Sequence, residues 1–299
     1  MHDIVIYLNG ERGLVTLEAV LAAGHGVTAV VVPERLAGSE VARRAAKTGA
    51  AVEPVAKVND PAFVESLKAR KARLGLIGGY STIFKKPLIE APELGTINLH
   101  GGRLPEYRGG SPLNWQIING ETVAGVSVIR VDEGIDSGPV LAEATFPIGP
   151  DDTIADAHEK ANGLFLGLVL TVLKGFDDGT LVERRQDETH ARYWRQRKPA
   201  DGWINWHDMP AGKVRDLVRG ITRPYPGAFT DWQGQRVRVF AARFVDDAPA
   251  GAPGCVVGHA SAQPMVACRD GALAFTDYEV AEVAGAPLPK DAQLGGGGR

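Results

Sequence analysis

Apolar runs and helical patterns alternate along the first half of the chain. Short β-branched runs lie at Ile4–Leu8, Val27–Val32, Leu74–Gly78 and Thr96–Leu99. Amphipathic helical patterns lie between them at Leu14–Leu21, Val41–Ala46 and Phe63–Leu67. This order predicts parallel strands joined by helical crossovers. Because these strands are apolar almost throughout, we expect the sheet to be covered on both faces.

Further elements extend this layer. Strand patterns at Val123–Val131 and Val140–Ile148 flank a polar segment, Asp132–Gly138. A helix is predicted from Asp152, where an acidic cap precedes apolar residues at helical spacing. The predicted fold class is α/β, with a Rossmann-like, mostly parallel sheet in the N-terminal domain.

The pattern changes near residue 200. Arg195–Asp201 is rich in charge and typical of a linker. We therefore expect an α/β domain at 1–200 and a smaller β-rich C-terminal domain at 201–299, with a barrel as one candidate arrangement. One helix is predicted at Val214–Ile221, and strands at Arg236–Phe240, Cys255–Gly258 and Ala272–Phe275. The Gly-rich end, Gly295–Gly298, is predicted to be disordered.

Composition narrows the class of partner. The 299 residues include 33 lysines and arginines against 36 aspartates and glutamates, for a net charge of -3. No chain-wide positive field attracts a polyanion, which disfavours a nucleic-acid partner. The N-terminal apolar run lacks the flanks of a secretory signal, and no run is long enough to cross a membrane. With only two cysteines and no metal-ligand spacing, we expect a cytoplasmic protein without a disulfide framework or metal site.

Three polar residues are candidates for chemistry. Asn98 and His100 alternate on a buried strand, so they share one face at its carboxyl end, where open α/β sheets bind ligands. Asp136 lies in the turn between the next two strands. By themselves, Asn98 and His100 could only cap the strand, and Asp136 could only form the turn.

Several motifs occur in order along the chain: Asn98-Leu-His100, Leu104-Pro105-x-Tyr107-Arg108-Gly109 and Asp132-x-Gly134-x-Asp136-x-Gly138, followed by Arg197-Lys-Pro-x-Asp201-x-x-Ile204-x-Trp206 and Arg219-x-x-x-Arg223-Pro-Tyr-Pro226-Gly-Ala228-Phe229. Together they resemble the folate-dependent formyltransferase family. That family includes methionyl-tRNA, glycinamide ribonucleotide and sugar-nucleotide formyltransferases. The spacing from Asn98 to Asp136, and the segment Ser111–Trp115, are most similar to the sugar-modifying members.

The resemblance implies that Asn98, His100 and Asp136 are catalytic. An amine would attack the formyl carbon of 10-formyl-tetrahydrofolate, and negative charge would collect on the formyl oxygen. The Asn98 amide and a His100 N–H are suited to stabilise that charge. Asp136 could take the amine's proton directly or could orient and charge His100, and the sequence leaves both routes open.

The resemblance also implies a folate site without a metal. Its candidate residues are Tyr80, Ile83, Phe84, Asp132, Gly134 and Ile135. Ile83 and Phe84 could equally belong to the core. The loop Asn9–Gly13 after the first strand lacks the G-x-G-x-x-G fingerprint, which disfavours a nicotinamide cofactor.

The acceptor is predicted to be a small-molecule amine, namely an amino-sugar nucleotide. Candidate contacts are Arg103, Leu104, Pro105, Tyr107 and Arg108, of which the arginines could hold a phosphate. A solvated loop face is the alternative for these residues. Acidic residues slightly outnumber basic ones from 201 onward, which argues against tRNA. Methionyl-tRNA formyltransferase, 10-formyl-tetrahydrofolate hydrolase and a non-catalytic binding module stay open, as does a homodimer.

Overall fold

A mixed, mostly parallel sheet forms the centre of the N-terminal half. The computed structural model describes residues 3–295. The strands of this half are β1 (Asp3–Leu8), β2 (Gly26–Pro33), β3 (Val52–Val55), β4 (Leu74–Gly78), β5 (Thr96–His100), β6 (Arg108–Gly109), β7 (Val123–Arg130), β8 (Val140–Pro147) and β9 (Tyr193–Trp194). Seven of them form one sheet in the order β3-β2-β1-β4-β5-β7-β8, while β6 and β9 pair separately. The predicted Rossmann-like class is confirmed.

The direction of the strands changes at β5. The pairs β1·β2, β1·β4, β2·β3 and β4·β5 are parallel, whereas β5 and β7 are antiparallel. The carboxyl end of β5 therefore lies beside β7, with His100 opposite Ser127. The patterns did not predict β3, because its four residues at the edge of the sheet include Glu53 and Pro54.

Seven α-helices are found among the described residues. They are α1 (Glu11–Ala22), α2 (Glu40–Lys47), α3 (Pro61–Ala69), α4 (Lys86–Ile89), α5 (Pro112–Ile118), α6 (Ile154–Asp178) and α7 (Ala211–Gly220). Side-chain caps begin α2 and α3, among others. Ser39 accepts a hydrogen bond from Ala42 N at α2, and Asp60 accepts one from Ala62 N at α3.

An antiparallel sheet forms the C-terminal part. Its strands are β10 (Ala228–Trp232), β11 (Gln235–Phe244), β12 (Val256–Ala260), β13 (Gln263–Cys268), β14 (Gly271–Val280) and β15 (Val283–Ala284). The order is β10-β11-β14-β13-β12, with β15 beside β14. Val214 and Leu217 of α7 belong to the core of this part. Within residues 3–295 the end strands β10 and β12 are not paired with each other, so the candidate barrel is not closed by strand pairing.

The contacts divide the chain into two compact units. The first comprises the chain up to Pro112 together with Gly125–Phe146 and Glu159–Trp194. The second comprises Leu113–Ala124, Pro147–His158 and the chain from Arg195 onward. Residues 296–299, on which most of the predicted disorder falls, lie outside the described residues. In the part that is described, no helix combines the length and the apolarity needed to cross a membrane.

Close packing fixes where α1 begins against the sheet. A Cβ atom on Gly13 would lie 2.2 Å from Leu8 Cβ and 3.0 Å from Gly78 O. The first turn of α1 thus rests directly on the ends of β1 and β4. Only glycine permits this approach, because backbone and Cβ atoms cannot move aside as a flexible side chain can.

We predict that Gly13→Ala lowers the free energy of unfolding by about 1–3 kcal/mol through overpacking. The matched control is Gly163→Ala on the exposed face of α6, where an added Cβ meets no atom within 4 Å. That control should leave stability unchanged or raise it by up to about 1 kcal/mol, because alanine is the better helix former. Urea unfolding monitored by circular dichroism compares the three proteins. Equal midpoints for Gly13→Ala and the parent would contradict the packing argument.

Candidate active site

Asn98, His100 and Asp136 meet at the carboxyl end of β5. The Asn98 amide donates from Nδ2 to Asp136 Oδ1 at 3.3 Å, and His100 Nδ1 lies 3.4 Å from Asp136 Oδ2. Asn98 and Asp136 are half-buried, whereas His100 is buried. The structure therefore brings together the three side chains that the sequence motifs indicated.

The second ring nitrogen of His100 fixes the tautomer. Nε2 lies 2.6 Å from the carbonyl oxygen of Tyr107. Since a carbonyl can only accept, Nε2 carries the hydrogen. In the neutral ring, Nδ1 then presents a lone pair to the Asp136 carboxylate. The His100–Asp136 pair can therefore take up one proton between Nδ1 and Oδ2.

Gly102 makes room for this imidazole. A Cβ atom at this position would lie 2.5 Å from Tyr107 O and 2.6 Å from His100 Nε2, the two atoms of the hydrogen bond. The carbonyl of Gly102 is itself held by Ser127 Oγ at 3.2 Å. The turn after β5 is thus fixed from the neighbouring strand.

Asp136 adopts a backbone conformation unusual for a residue other than glycine. Its φ is 51°, in the left-handed region, which costs on the order of 1 kcal/mol. The amide of Gly109 donates to Asp136 Oδ2 at 2.8 Å. The carboxylate is thus oriented by a backbone donor as well as by Asn98.

The loop residues predicted to contact the acceptor mostly pack inside the protein. Leu104 is buried with Ile129 and Val140. Pro105 follows Leu104 through a cis peptide bond. The ring of Tyr107 stacks on Trp194 with centroids 5.6 Å apart. Arg103 lies 3.9 Å from Glu106 in an ion-pair contact.

Arg108 is fully buried, and four of its five N–H donors are engaged within the protein. Nε donates to Gln186 Oε1 at 3.0 Å, and the two terminal nitrogens donate to both carboxylate oxygens of Glu188. Nη1 also donates to Tyr193 OH at 2.7 Å. The hydrogen bond to Glu188 is the main factor that raises the pKa of Arg108 and lowers that of Glu188. Arg108 is therefore a buried structural residue in this geometry, and it is not exposed to a phosphate in solvent.

The residues predicted to bind folate fall into two groups. Tyr80 and Phe84 pack edge-to-face with Tyr7 in the core, and burial raises the pKa of Tyr80 to about 12. Ile83 and Ile135 are exposed by 71% and 51%. Asp132 accepts hydrogen bonds from Gly134 N and Ser137 Oγ, which fixes the turn between β7 and β8.

A cavity of about 510 Å³ adjoins that turn. Asp132 and Gly134 line it, as the motif indicated. Sequence reasoning missed its other lining residues, which are Lys86, Ile89, Glu90, Gly95, Thr96, Arg130, Val131 and Glu133. The switch from parallel to antiparallel pairing at β5 brings these together, because the start of β5 then lies beside the end of β7. Among residues 3–295 no cluster of three or more His, Cys, Asp or Glu side chains could hold a metal ion.

Two family models match the chain. The model described as formyl transferase matches residues 12–164, and that of the formyl transferase C-terminal domain matches residues 197–284. The methionyl-tRNA formyltransferase of Solibacter usitatus is 36% identical over 273 residues, covering 88% of this chain and 86% of that protein. The methionyl-tRNA formyltransferase of Pelobacter propionicus is 33% identical, covering 99% of this chain and 97% of its own length.

Solved structures show the same fold at lower identity. An N-formyltransferase from Helicobacter canadensis, solved with folinic acid and dTDP-3-aminofucose, has a TM-score of 0.67 at 17% identity, covering 92% of this chain and 99% of that one. HypX from Aquifex aeolicus with tetrahydrofolic acid has a TM-score of 0.66 at 19% identity, but this chain spans only 44% of it. The chain belongs to the formyl transferase family and is a folate-dependent N-formyltransferase.

Proposed function

We propose that this protein transfers the formyl group of 10-formyl-tetrahydrofolate to the amine of methionyl-tRNA, using Asn98, His100 and Asp136. The observation that carries the choice of acceptor is the similarity to methionyl-tRNA formyltransferases over nearly the whole chain, at 33–36% identity. This replaces the amino-sugar nucleotide that the sequence motifs put first. The chemistry at the formyl carbon is the same for either acceptor.

Asn98 stabilises the charge that develops during transfer. Its amide has two N–H donors, and the structure uses one of them on Asp136. The other is available to the formyl oxygen as the acceptor amine attacks. His100 directs its Nε2–H at Tyr107, so it makes no such contact in this geometry.

The His100–Asp136 pair takes up the proton of the acceptor. When the amine nitrogen bonds to the formyl carbon it becomes cationic and must lose a proton. The pair can hold that proton between Nδ1 and Oδ2, since in the neutral state a lone pair faces a carboxylate there. The same proton can pass to the folate nitrogen as its bond to the formyl carbon breaks, which leaves the protein unchanged and releases tetrahydrofolate.

The pterin ring of the folate occupies the cavity beside the turn between β7 and β8. Ile89 and Val131 offer apolar contact to a flat ring, and Asp132 and Glu133 offer acceptors for its amino and N–H groups. Ile135 is exposed on the same turn, one residue before Asp136, and can cover the part of the folate that carries the formyl group.

A second acceptor, an amino-sugar nucleotide, is favoured by the charges of the second unit. Arginines of this unit lie in ion pairs with acidic residues of the same unit, namely Arg195, Arg215, Arg219, Arg223 and Arg238. Paired cations contribute little to the counterion release that drives binding to nucleic acid. A diphosphate requires far fewer cationic contacts than a tRNA does.

We predict that Asn98→Ala lowers kcat by about 10²–10³-fold through loss of the donor to the formyl oxygen. Asp136→Asn, which keeps the size of the side chain, should lower kcat by about 10²–10⁴-fold because the proton acceptor is lost. Tetrahydrofolate release measures the rates, and thermal melting serves as the control for folding. A folded Asp136→Asn variant with the parent rate would refute the assignment.

Filling the cavity should weaken folate binding. Val131→Trp places a larger ring where we locate the pterin, so we predict that the Kd for tetrahydrofolate rises at least about tenfold, the equivalent of about 1.4 kcal/mol. Val182→Trp is the matched control, because Val182 is 75% exposed and does not line the cavity. Calorimetric titration of both variants tests this. Equal affinities of the two variants would show that the pterin does not bind in this cavity.

The acceptor is tested by a panel assayed with 10-formyl-tetrahydrofolate: methionyl-tRNA, amino-sugar nucleotides, and no acceptor. We expect formylation of methionyl-tRNA, with kcat/KM falling by at least about tenfold between about 50 and 200 mM salt as phosphate contacts are screened. If only a sugar nucleotide is formylated, the proposed acceptor is wrong, but the proposed chemistry at the formyl carbon still holds. Release of formate without any acceptor would identify a hydrolase instead.

A further inference from the structure

A segment after α6 supports Asp136 in two ways, through the backbone around it and through the donor to its carboxylate. This segment, Gln186–Trp194, is called the strap below. It contains a short 3-10 helix, Glu188–His190, and strand β9. Neither the motifs nor the proposed chemistry assigns any of its residues a role in the reaction.

Gln186 is hydrogen-bonded to the backbone at Asp136 and at Gly138. Its Nε2 donates to the carbonyl of Asp136 at 2.8 Å and to the carbonyl of Gly138 at 2.7 Å. Its Oε1 accepts from Arg108 Nε. The orientation of the amide is fixed, because the carbonyls can only accept and the guanidinium can only donate. Every polar atom of the Gln186 side chain is therefore engaged in holding this region.

Arg108 anchors the same amide to the rest of the strap. Its guanidinium is fully buried between Gln186, Glu188 and Tyr193, and it lies 5.4 Å from the centre of the Tyr193 ring. Gln186 is thus held by a charge-assisted contact on one side while it holds two carbonyls on the other. These contacts with protein groups fix the position of the Gln186 side chain.

The strap also supports the donor that faces the carboxylate. Strands β6 and β9 pair in parallel, and Gly110 N donates to Trp194 O at 2.8 Å. A Cβ atom on Gly109 would lie 2.1 Å from Trp194 O, so only glycine permits this pairing. The amide of that same Gly109 donates to Asp136 Oδ2. The strap therefore positions the backbone of Asp136 through Gln186, and it supports the amide of Gly109 that holds the Asp136 carboxylate.

We propose that Gln186 is a positioning residue, which holds Asp136 in its left-handed conformation so that the carboxylate meets His100 and Asn98. The inference rests on the proposed catalytic role of Asp136. Without the two hydrogen bonds from Gln186, the turn can relax to a backbone region that aspartate prefers, and the carboxylate leaves the imidazole. A displacement of about 1 Å is enough to slow the reaction strongly.

The test is a pair of variants that keep the size of the side chain. Gln186→Glu retains the acceptor for Arg108 but turns a carboxylate oxygen toward two carbonyls, and Gln186→Met removes the polar contacts without adding charge. For both we expect kcat to fall by about 10–100-fold, as for other groups that orient a reacting side chain, with KM for folate and acceptor nearly unchanged. Gln235→Glu, at the exposed start of β11, makes the same chemical change elsewhere and should keep the parent rate.

The pH dependence separates positioning from general destabilisation. A protonated carboxyl in Gln186→Glu can donate to one carbonyl, so the ratio of its kcat to that of the parent should rise as pH falls through the carboxyl range. The ratio for Gln186→Met should not depend on pH. Melting temperatures of both variants are recorded under the same conditions.

A double-mutant cycle with Asp136→Asn gives the deciding result. If Gln186 acts through the carboxylate, adding Gln186→Met to Asp136→Asn should change the residual rate by less than about twofold, because interacting residues are not additive. An equal loss in both backgrounds, or no loss in the single variants, would overturn the positioning role. Parent activity of Asp136→Asn alone would instead remove the proposed catalytic assignment, which is a separate failure.

Discussion

The site depends on the contact between a carboxylate and an imidazole that come from different strand ends. Asp136 reaches His100 only because its backbone is held in the left-handed region and its Oδ2 receives the Gly109 amide. His100 is itself fixed by the Tyr107 carbonyl, in the space that Gly102 leaves open. Each partner is thus positioned by backbone groups of the loop after β5, so that loop sets the geometry of the proposed catalytic groups.

This dependence explains why the polar loop residues lie inside the protein. A loop that must hold both a ring and a carboxylate has to be rigid, and rigidity requires packing on its other face. Leu104 and Tyr107 supply that packing, while Arg108 supplies buried hydrogen bonds. A buried guanidinium is tolerated because Gln186, Glu188 and Tyr193 satisfy four of its five donors, and Glu188 balances its charge. Arg108, which by its chemistry could bind a phosphate, therefore supports the proposed catalytic groups instead.

Sequence patterns predicted the elements that carry the proposed catalytic groups better than they predicted the contacts around them. The spacing of Asn98 and His100 on an apolar strand indicated one face of β5, and the structure has both side chains near Asp136. Nothing in the local pattern distinguishes a buried Arg108 from an exposed one, because its partners lie about 80 residues away. The role of Gln186 could not be predicted from the local sequence for the same reason. The cavity was missed because it depends on antiparallel pairing of β5 with β7, which periodicity does not reveal.

The residues that select the acceptor must lie outside the proposed catalytic group of Asn98, His100 and Asp136. In the proposed mechanism Asn98, His100 and Asp136 act only on the formyl group of the folate and on the attacking amine, and every acceptor considered supplies such an amine. Discrimination therefore requires contacts with the rest of the acceptor, and a polyanion and a diphosphate differ most in the number of cations they need. The ion pairs of the second unit limit that number. If methionyl-tRNA is the acceptor, its phosphates must either replace these acidic partners or rely on cations outside the pairs. The salt dependence of kcat/KM then measures how many phosphate contacts form.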